Sequence, residues 1–318
     1  MRLSLAIIFV SCAFSRSNDA SALIRSVADT ASSAKTWRIE GSIEDSHYVH
    51  PATFTLFMRA PAEVRFQQAG GSTPAIIVCD TVNASVYSPP LNRYRTQPVS
   101  ESALCSAIVG DWKSLASTLK SPVLAGRQTV EIGGRNTECE VVRGKSEATP
   151  PLSGNIKREL CVDVNRNMIV SEKEEFGEAV RSYTYTKIEP DIDMPPDVFV
   201  LKLPPGSAST PYHLPVPERL GSLSMPRDPG VAMPRIVSKQ DPVYDEASRK
   251  SRIQGTVVLY VVIDANGFPS EINVFQHLTP GLDNSAIEAV RHWRFTPVTK
   301  NNQPIALGSM IEVNFRLR

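Results

Sequence analysis

A chain of 318 residues is longer than one typical domain and predicts two. Its apolar and charged fractions, 42% and 21%, are ordinary for a globular protein. The formal net charge of +1 offers no basic field, which argues against nucleic acid as a partner.

The chain opens with Arg2 and a short apolar core that runs to Phe14. That is the pattern of a secretory signal, and the core is too short for the roughly 20 residues a spanning helix needs. Residues 1–20 are therefore read as a signal peptide, with cleavage after Ser15 or Ala20. The alternatives are an uncleaved anchor or a buried N-terminal helix. Cys12 invites a lipoprotein reading, against which Phe9 stands where a lipobox has Leu. Export places the protein in the periplasm, and an uncleaved signal would anchor it in the inner membrane, facing the periplasm.

Removal of that segment leaves Cys79, Cys105, Cys139 and Cys161. An even number in an exported protein suggests two disulfides. Cys139 and Cys161 lie in neighbouring strand-like runs and pair on that ground, which leaves Cys79 with Cys105. Four buried free thiols are the alternative. No C-x-x-C spacing supports a redox or zinc site.

Apolar spacing predicts a helix over Ala20–Ala34, with Leu23, Ile24, Val27 and Ala31 on one face. Alternation then predicts strands at Trp37–Glu44 and Thr53–Arg59. Further strands are expected at Ala62–Gln67, Ala75–Asp80 and Ala84–Tyr87. Ser102–Lys120 reads as a helix, with Leu104, Ile108, Trp112 and Leu115 in register. Strand signals return at Thr129–Ile132 and Glu138–Arg143 around Gly133-Gly134, and at Lys157–Val164 and Met168–Glu174 around Asn165–Asn167. Arg181–Ile188 alternates again. A large curved antiparallel sheet with helices on its concave face would bury this pattern.

Three phrases in this part are similar to the LolA-like half-barrels of periplasmic lipoprotein carriers. They are the opening helix followed by a strand with Trp37 and Gly41, the run Ala60–Phe66 entered through Pro61, and the closing Pro195-Pro-Asp-Val-Phe199 with Leu203-Pro-Pro-Gly206. The resemblance covers residues 20–206, with the half-barrel domain itself at 21–206, and implies an apolar concave face able to take a lipid or acyl chain. The plain reading of those side chains is core. From Pro204 to Pro234 prolines punctuate the chain, so 207–234 is expected to be an extended interdomain linker.

Beyond Pro234 the pattern is strand, turn, strand, helix, strand. Gly255–Ile263 is a continuous apolar run, and Asn266-Gly267 is a hairpin signal of the type I′ kind. Ser285–Glu288 reads as a capping box with Asp283 as an alternative N-cap, and Ala286, Val290 and Trp293 share one helical face. Arg291 and Arg294 are expected to be solvated helix charges. The last run starts at Met310. Within it Ile311, Val313, Phe315 and Leu317 face one way and Glu312, Asn314 and Arg316 the other.

Residues 235–318 resemble the TonB C-terminal domain family. The resemblance rests on Pro242 and Tyr244, Ala247, Gly255 and Val257, Ile263-Asp264 with Gly267, Ala286 and Ala289, Trp293-Arg294-Phe295 with Pro297, and Asn301–Pro304. Asp245 and Asn302 depart from the family pattern. The resemblance implies a three-stranded antiparallel sheet whose last strand pairs with an extended segment of an outer-membrane transporter. Gln240, Ile311, Glu312, Val313, Asn314, Phe315 and Arg316 are then the partner-binding residues. As a bare sequence feature, the last strand reads equally as an ordinary edge kept soluble by charge.

The expected fold class is α+β, a curved half-barrel followed by a small TonB-type module. No metalloprotease, hydrolase or nucleotide-binding motif occurs, no cofactor is implied, and His47 with His50 fits a surface loop better than a metal pair. A hydrolase inside the half-barrel would need a polar cluster on the concave face. The expected function is non-catalytic: binding of TonB-dependent transporters or other periplasmic proteins in energy-coupled transport. The alternative is a lipid or lipoprotein carrier on which the C-terminal module only docks.

Overall fold

A computed structural model describes residues 19–46, 51–71, 73–101, 104–147, 155–177, 179–216, 231 and 234–317. The signal segment up to residue 18, Cys12 within it, the His47 and His50 pair, and residues 217–230 of the Pro-rich stretch lie outside these residues.

Helix α1 spans Ala20–Ser33, capped by the Asp19 carboxylate, which accepts from the Ser21 N–H at 2.9 Å. Six strands follow as a meander: β1 Thr36–Asp45, β2 Ala52–Arg59, β3 Glu63–Gly70, β4 Ala75–Cys79, β5 Asn83–Ser88 and β6 Arg93–Pro98. Helix α2 spans Leu104–Thr118. A second meander comprises β7 Lys120–Ile132, β8 Arg135–Glu147, β9 Asn155–Asp163, β10 Met168–Phe176 and β11 Ala179–Pro190. β1 pairs with β11 and joins the two meanders. A short β12, Ala208–Ser209, adds parallel to β6 and completes a twelve-stranded sheet.

The sheet coils: the Gly133 turn at the tip of the β7–β8 hairpin comes up against the Thr186 carbonyl of β11. α1 and α2 fill the concave side. Leu23, Ile24, Val27 and Ala31 pack with Ile108, Trp112, Leu115 and sheet residues in one buried cluster. The Trp112 ring meets Trp37 and Tyr185 edge-on, at 6.2 and 5.3 Å between centroids. Gly41 is required by close approach, because a Cβ there would press on the Phe54 ring at 2.9 Å.

Both expected disulfides are present, Cys79–Cys105 and Cys139–Cys161, with Cα separations of 6.0 and 5.4 Å. The first ties the start of α2 to β4. At the other end of α2, Leu119 sits over Gly144 of β8.

The concave face is not purely apolar. Asp45, Arg181, Glu174 and Arg158 stand in register across β1, β11, β10 and β9, alternating in sign. Arg181 binds Asp45 at 2.8 Å, and Arg158 reaches Glu174 at 3.6 Å. The buried Arg158 also pairs with the buried Glu172, to which the Tyr185 hydroxyl donates. The charges serve one another, as buried ions must.

The C-terminal module contains β13 Ile236–Ser238, α3 Glu246–Lys250, β14 Gly255–Ile263, β15 Pro269–Gln276, α4 Pro280–Arg291 and β16 Arg294–Phe295. It ends with β17 Val298–Lys300, β18 Gln303–Ile305 and β19 Leu307–Phe315. Its sheet has the order β15-β14-β19, and β13 pairs with β16.

Three local expectations are corrected. The Asn266-Gly267 hairpin forms, but not as a type I′ turn. Only Gly267 has positive φ, at 86°, and the Asp264 carboxylate closes a longer loop by accepting from the N–H groups of Asn266 and Phe268. Two-residue turns with both φ values positive occur at Gly133-Gly134 and Asn301-Asn302 instead. The α4 N-cap is Thr279 followed by Pro280, ahead of the expected box, because Thr-Pro is pre-organised for a helix start. Arg294 lies outside the helix, with its guanidinium over the Phe268 ring at 4.5 Å, whereas Arg291 is a helix-surface charge paired with Glu288.

Loss of the Cys79–Cys105 bond in a Cys79→Ser/Cys105→Ser variant is expected to lower stability by about 2–4 kcal/mol. Urea unfolding followed by tryptophan fluorescence measures it. Gly267→Ala forces a side chain onto the Phe295 carbonyl at a positive φ. It is expected to cost about 1–3 kcal/mol, read as a lower thermal midpoint.

Candidate functional site

The C-terminal module is assembled around β14. Val257, Leu259, Val261 and Ile263 face α4, where they meet Leu282, Ala286, Val290 and Trp293. Ile311, Val313 and Phe315 of β19 belong to the same core. On the opposite face, the buried Tyr260 and Val262 join Phe275 of β15 in a second cluster.

That second face is covered by the start of the Pro-rich stretch. Leu214 and Val216 are buried there, with Tyr212 partly so. The Tyr260 hydroxyl donates to the His213 carbonyl at 3.1 Å, and Glu271 of β15 pairs with Arg93 of β6 at 3.2 Å. Residues 208–216 are thus a packed strap and not an extended connector. The cause lies in its apolar side chains, which supply the partner that the second face of β14 needs.

The lead-in to the module is fastened at both ends. Trp293 Nε1 donates to the Gln240 carbonyl at 2.8 Å, and the Ser285 hydroxyl bridges the Val243 N–H and carbonyl. Ser285 therefore holds the lead-in and does not cap α4. The Tyr244 ring meets Phe315 edge-on at 5.4 Å while its hydroxyl donates to the Ile253 carbonyl. Asp245, where the family pattern has proline, is the N-cap of α3. The hydrogen bonds from Ser248 hold its carboxyl below the usual carboxylate range.

β19 pairs with β14 along one side from Leu307 to Phe315. Among the described residues no strand pairs with its other side. Its inner side chains Ile311, Val313 and Phe315 are buried, and Glu312, Asn314 and Arg316 are exposed. The strand begins earlier than the Met310 run suggests and ends before Arg316, which continues its line. The Leu317 N–H donates to Gln254 Oε1 at 3.0 Å and holds that end in place. Of the expected site residues, Ile311 to Phe315 therefore lie on one open edge. Gln240 stands apart, bound through its carbonyl to Trp293. The residue that links lead-in to edge is Tyr244, legible only as part of the opening motif.

The geometry is that of a small α+β module whose last strand, β19, is an outer strand of the sheet paired on one side. Residues 240–317 match the family model described as Gram-negative bacterial TonB protein C-terminal. The Protein TonB of Vibrio cholerae is 35% identical over 89 residues, covering 27% of this chain and 36% of that protein. The solution structure of the Pseudomonas aeruginosa TonB C-terminal domain is 22% identical and covers 29% of this chain and 92% of its own, with a TM-score of 0.22. The Mycobacterium tuberculosis lipoprotein LppX is 15% identical and covers 54% of this chain and 96% of its own, with a TM-score of 0.39. The chain spans about a third of the length of the curated TonB relatives it matches. Among the described residues no helix is long and apolar enough to cross a membrane.

Burial pushes the Tyr260 phenol well above its ordinary value near 10. Its raised folded pKa means that its contribution is fully present below about pH 10 and is lost as pH rises from there. Tyr260→Phe should cost about 1 kcal/mol at neutral pH through the lost bond to His213. Urea midpoints at about pH 8 and about pH 10.5 should fall further for the wild type than for the variant.

Proposed function

We propose that this is a non-catalytic binding protein of the Gram-negative cell envelope. Its C-terminal module receives an extended partner segment as a strand added to the outer edge of β19. The observation that carries this reading is the open, one-side-paired edge with a buried inner face. Main-chain hydrogen bonds along such an edge supply affinity, and flanking side chains supply choice. The TonB-type module makes a TonB-dependent outer-membrane transporter the favoured partner, in energy-coupled transport.

In this reading Ile311 to Phe315 and Arg316 form the contact, and Gln240 acts through the lead-in it anchors. The N-terminal sheet domain, to about residue 206, serves as the body on which the module is mounted. Its concave face is occupied by α1 and α2, so carriage of a lipid there would require α2 to move.

The test is an NMR titration of the isotope-labelled chain with a peptide copying the periplasm-exposed N-terminal segment of a TonB-dependent transporter from the same organism. The expected result is that amides of 307–316 shift and gain protection from hydrogen exchange. Shifts confined to other regions, or none at saturating peptide, would refute the reading.

A further inference from the structure

The open edge of β19 carries its own charge register. Its outward side chains beyond Met310 are Glu312, Asn314 and Arg316, all exposed. Asn314 is occupied within the sheet, because its side-chain oxygen accepts from the Thr256 hydroxyl at 2.6 Å. Among the described residues, neither Glu312 nor Arg316 has an ion-pair partner. Other carboxylates of the module are engaged: Glu288 with Arg291, Glu246 with Lys250 and the half-buried Glu271 with Arg93. The edge thus presents an anion, a neutral spacer and a cation at alternate positions, in line and at one level of the sheet.

A strand that adds to an edge places its side chains on the same alternating sides as its neighbour. Directly opposed residues then stand with Cβ atoms about 4.5–5.5 Å apart, where opposite charges attract and like charges repel. Resting on the strand-pairing reading above, we infer that β19 selects an extended segment carrying a basic residue beside Glu312 and an acidic residue beside Arg316, four residues apart. The order of the two charges along the partner then reports strand direction. Base before acid fits a parallel partner, and acid before base fits an antiparallel one. The same pair also rejects segments with a carboxylate beside Glu312, which sharpens choice more than it adds affinity.

The test uses the full chain and three synthetic nine-residue peptides of alternating Val and Thr. The first has Lys and Glu four positions apart in that order, the second has the order reversed, and the third has Gln at both positions. Fluorescence anisotropy at low ionic strength should show one charged peptide binding about threefold to tenfold tighter than the neutral one. Added salt should shrink the advantage. The double variant Glu312→Lys/Arg316→Glu keeps the net charge and the buried face, and it should transfer the advantage to the other charged peptide. If all three peptides bind alike, or the double variant leaves the preference where it was, the charge register is refuted and strand pairing stands. If no peptide binds, the inference falls, and the NMR titration described above decides whether strand pairing falls with it.

Discussion

Strand Gly255–Ile263 has water on neither face from Leu259 onward, and much of the molecule follows from that. Its odd-numbered apolar residues are covered by α4. Its even-numbered ones, Tyr260 and Val262, are covered by Leu214 and Val216 of the strap. A strand buried on both faces is a continuous apolar run, as this one is. Its two neighbours then have different fates. β15 carries Glu271, which meets Arg93 of the N-terminal sheet, and β19 is an outer strand with no second strand beside it among the described residues. The charges that keep such an edge soluble are also the ones a partner strand would meet.

The N-terminal sheet is governed by a different constraint. Its two meanders lie on either side of the β1–β11 pair, and the connection from β6 to β7 must travel from one edge to the other. α2 makes that crossing, so it passes over the concave face and buries Ile108, Trp112 and Leu115 there. The Cys79–Cys105 bond anchors the start of the crossing. The row Asp45, Arg181, Glu174 and Arg158 fixes strand register: a slip by one residue in any of these strands would move its charge to the convex face and strand its neighbours unpaired.

Much of the local structure was legible in the sequence, because alternation and helical spacing report burial directly. α1 and α2 lie within a residue or two of their expected limits, and the inner face of β19 is as read. The Cys139–Cys161 pairing followed from strand adjacency, and Cys79–Cys105 by elimination. Turn chemistry was less legible. Asn266-Gly267 carries the dipeptide of a type I′ turn, yet Asp264 two residues earlier captures the N–H groups and sets a longer loop. Ser285 satisfies the capping-box pattern, but its hydroxyl serves Val243, 42 positions away in the chain. Local patterns name the side chains able to make a bond. They do not say which distant group competes for it.

By itself the sequence determined which side chains leave water, the antiparallel alternation of both sheets, the two disulfides and the TonB-type order of elements in the last eighty or so residues. The tertiary structure alone decided what covers the second face of β14 and that the strap is packed. Periodicity tells that a residue is buried and is silent about its partner. The partners here, the His213 carbonyl for Tyr260 and Arg93 for Glu271, are brought together only when the chain folds back on itself across the proline-rich stretch.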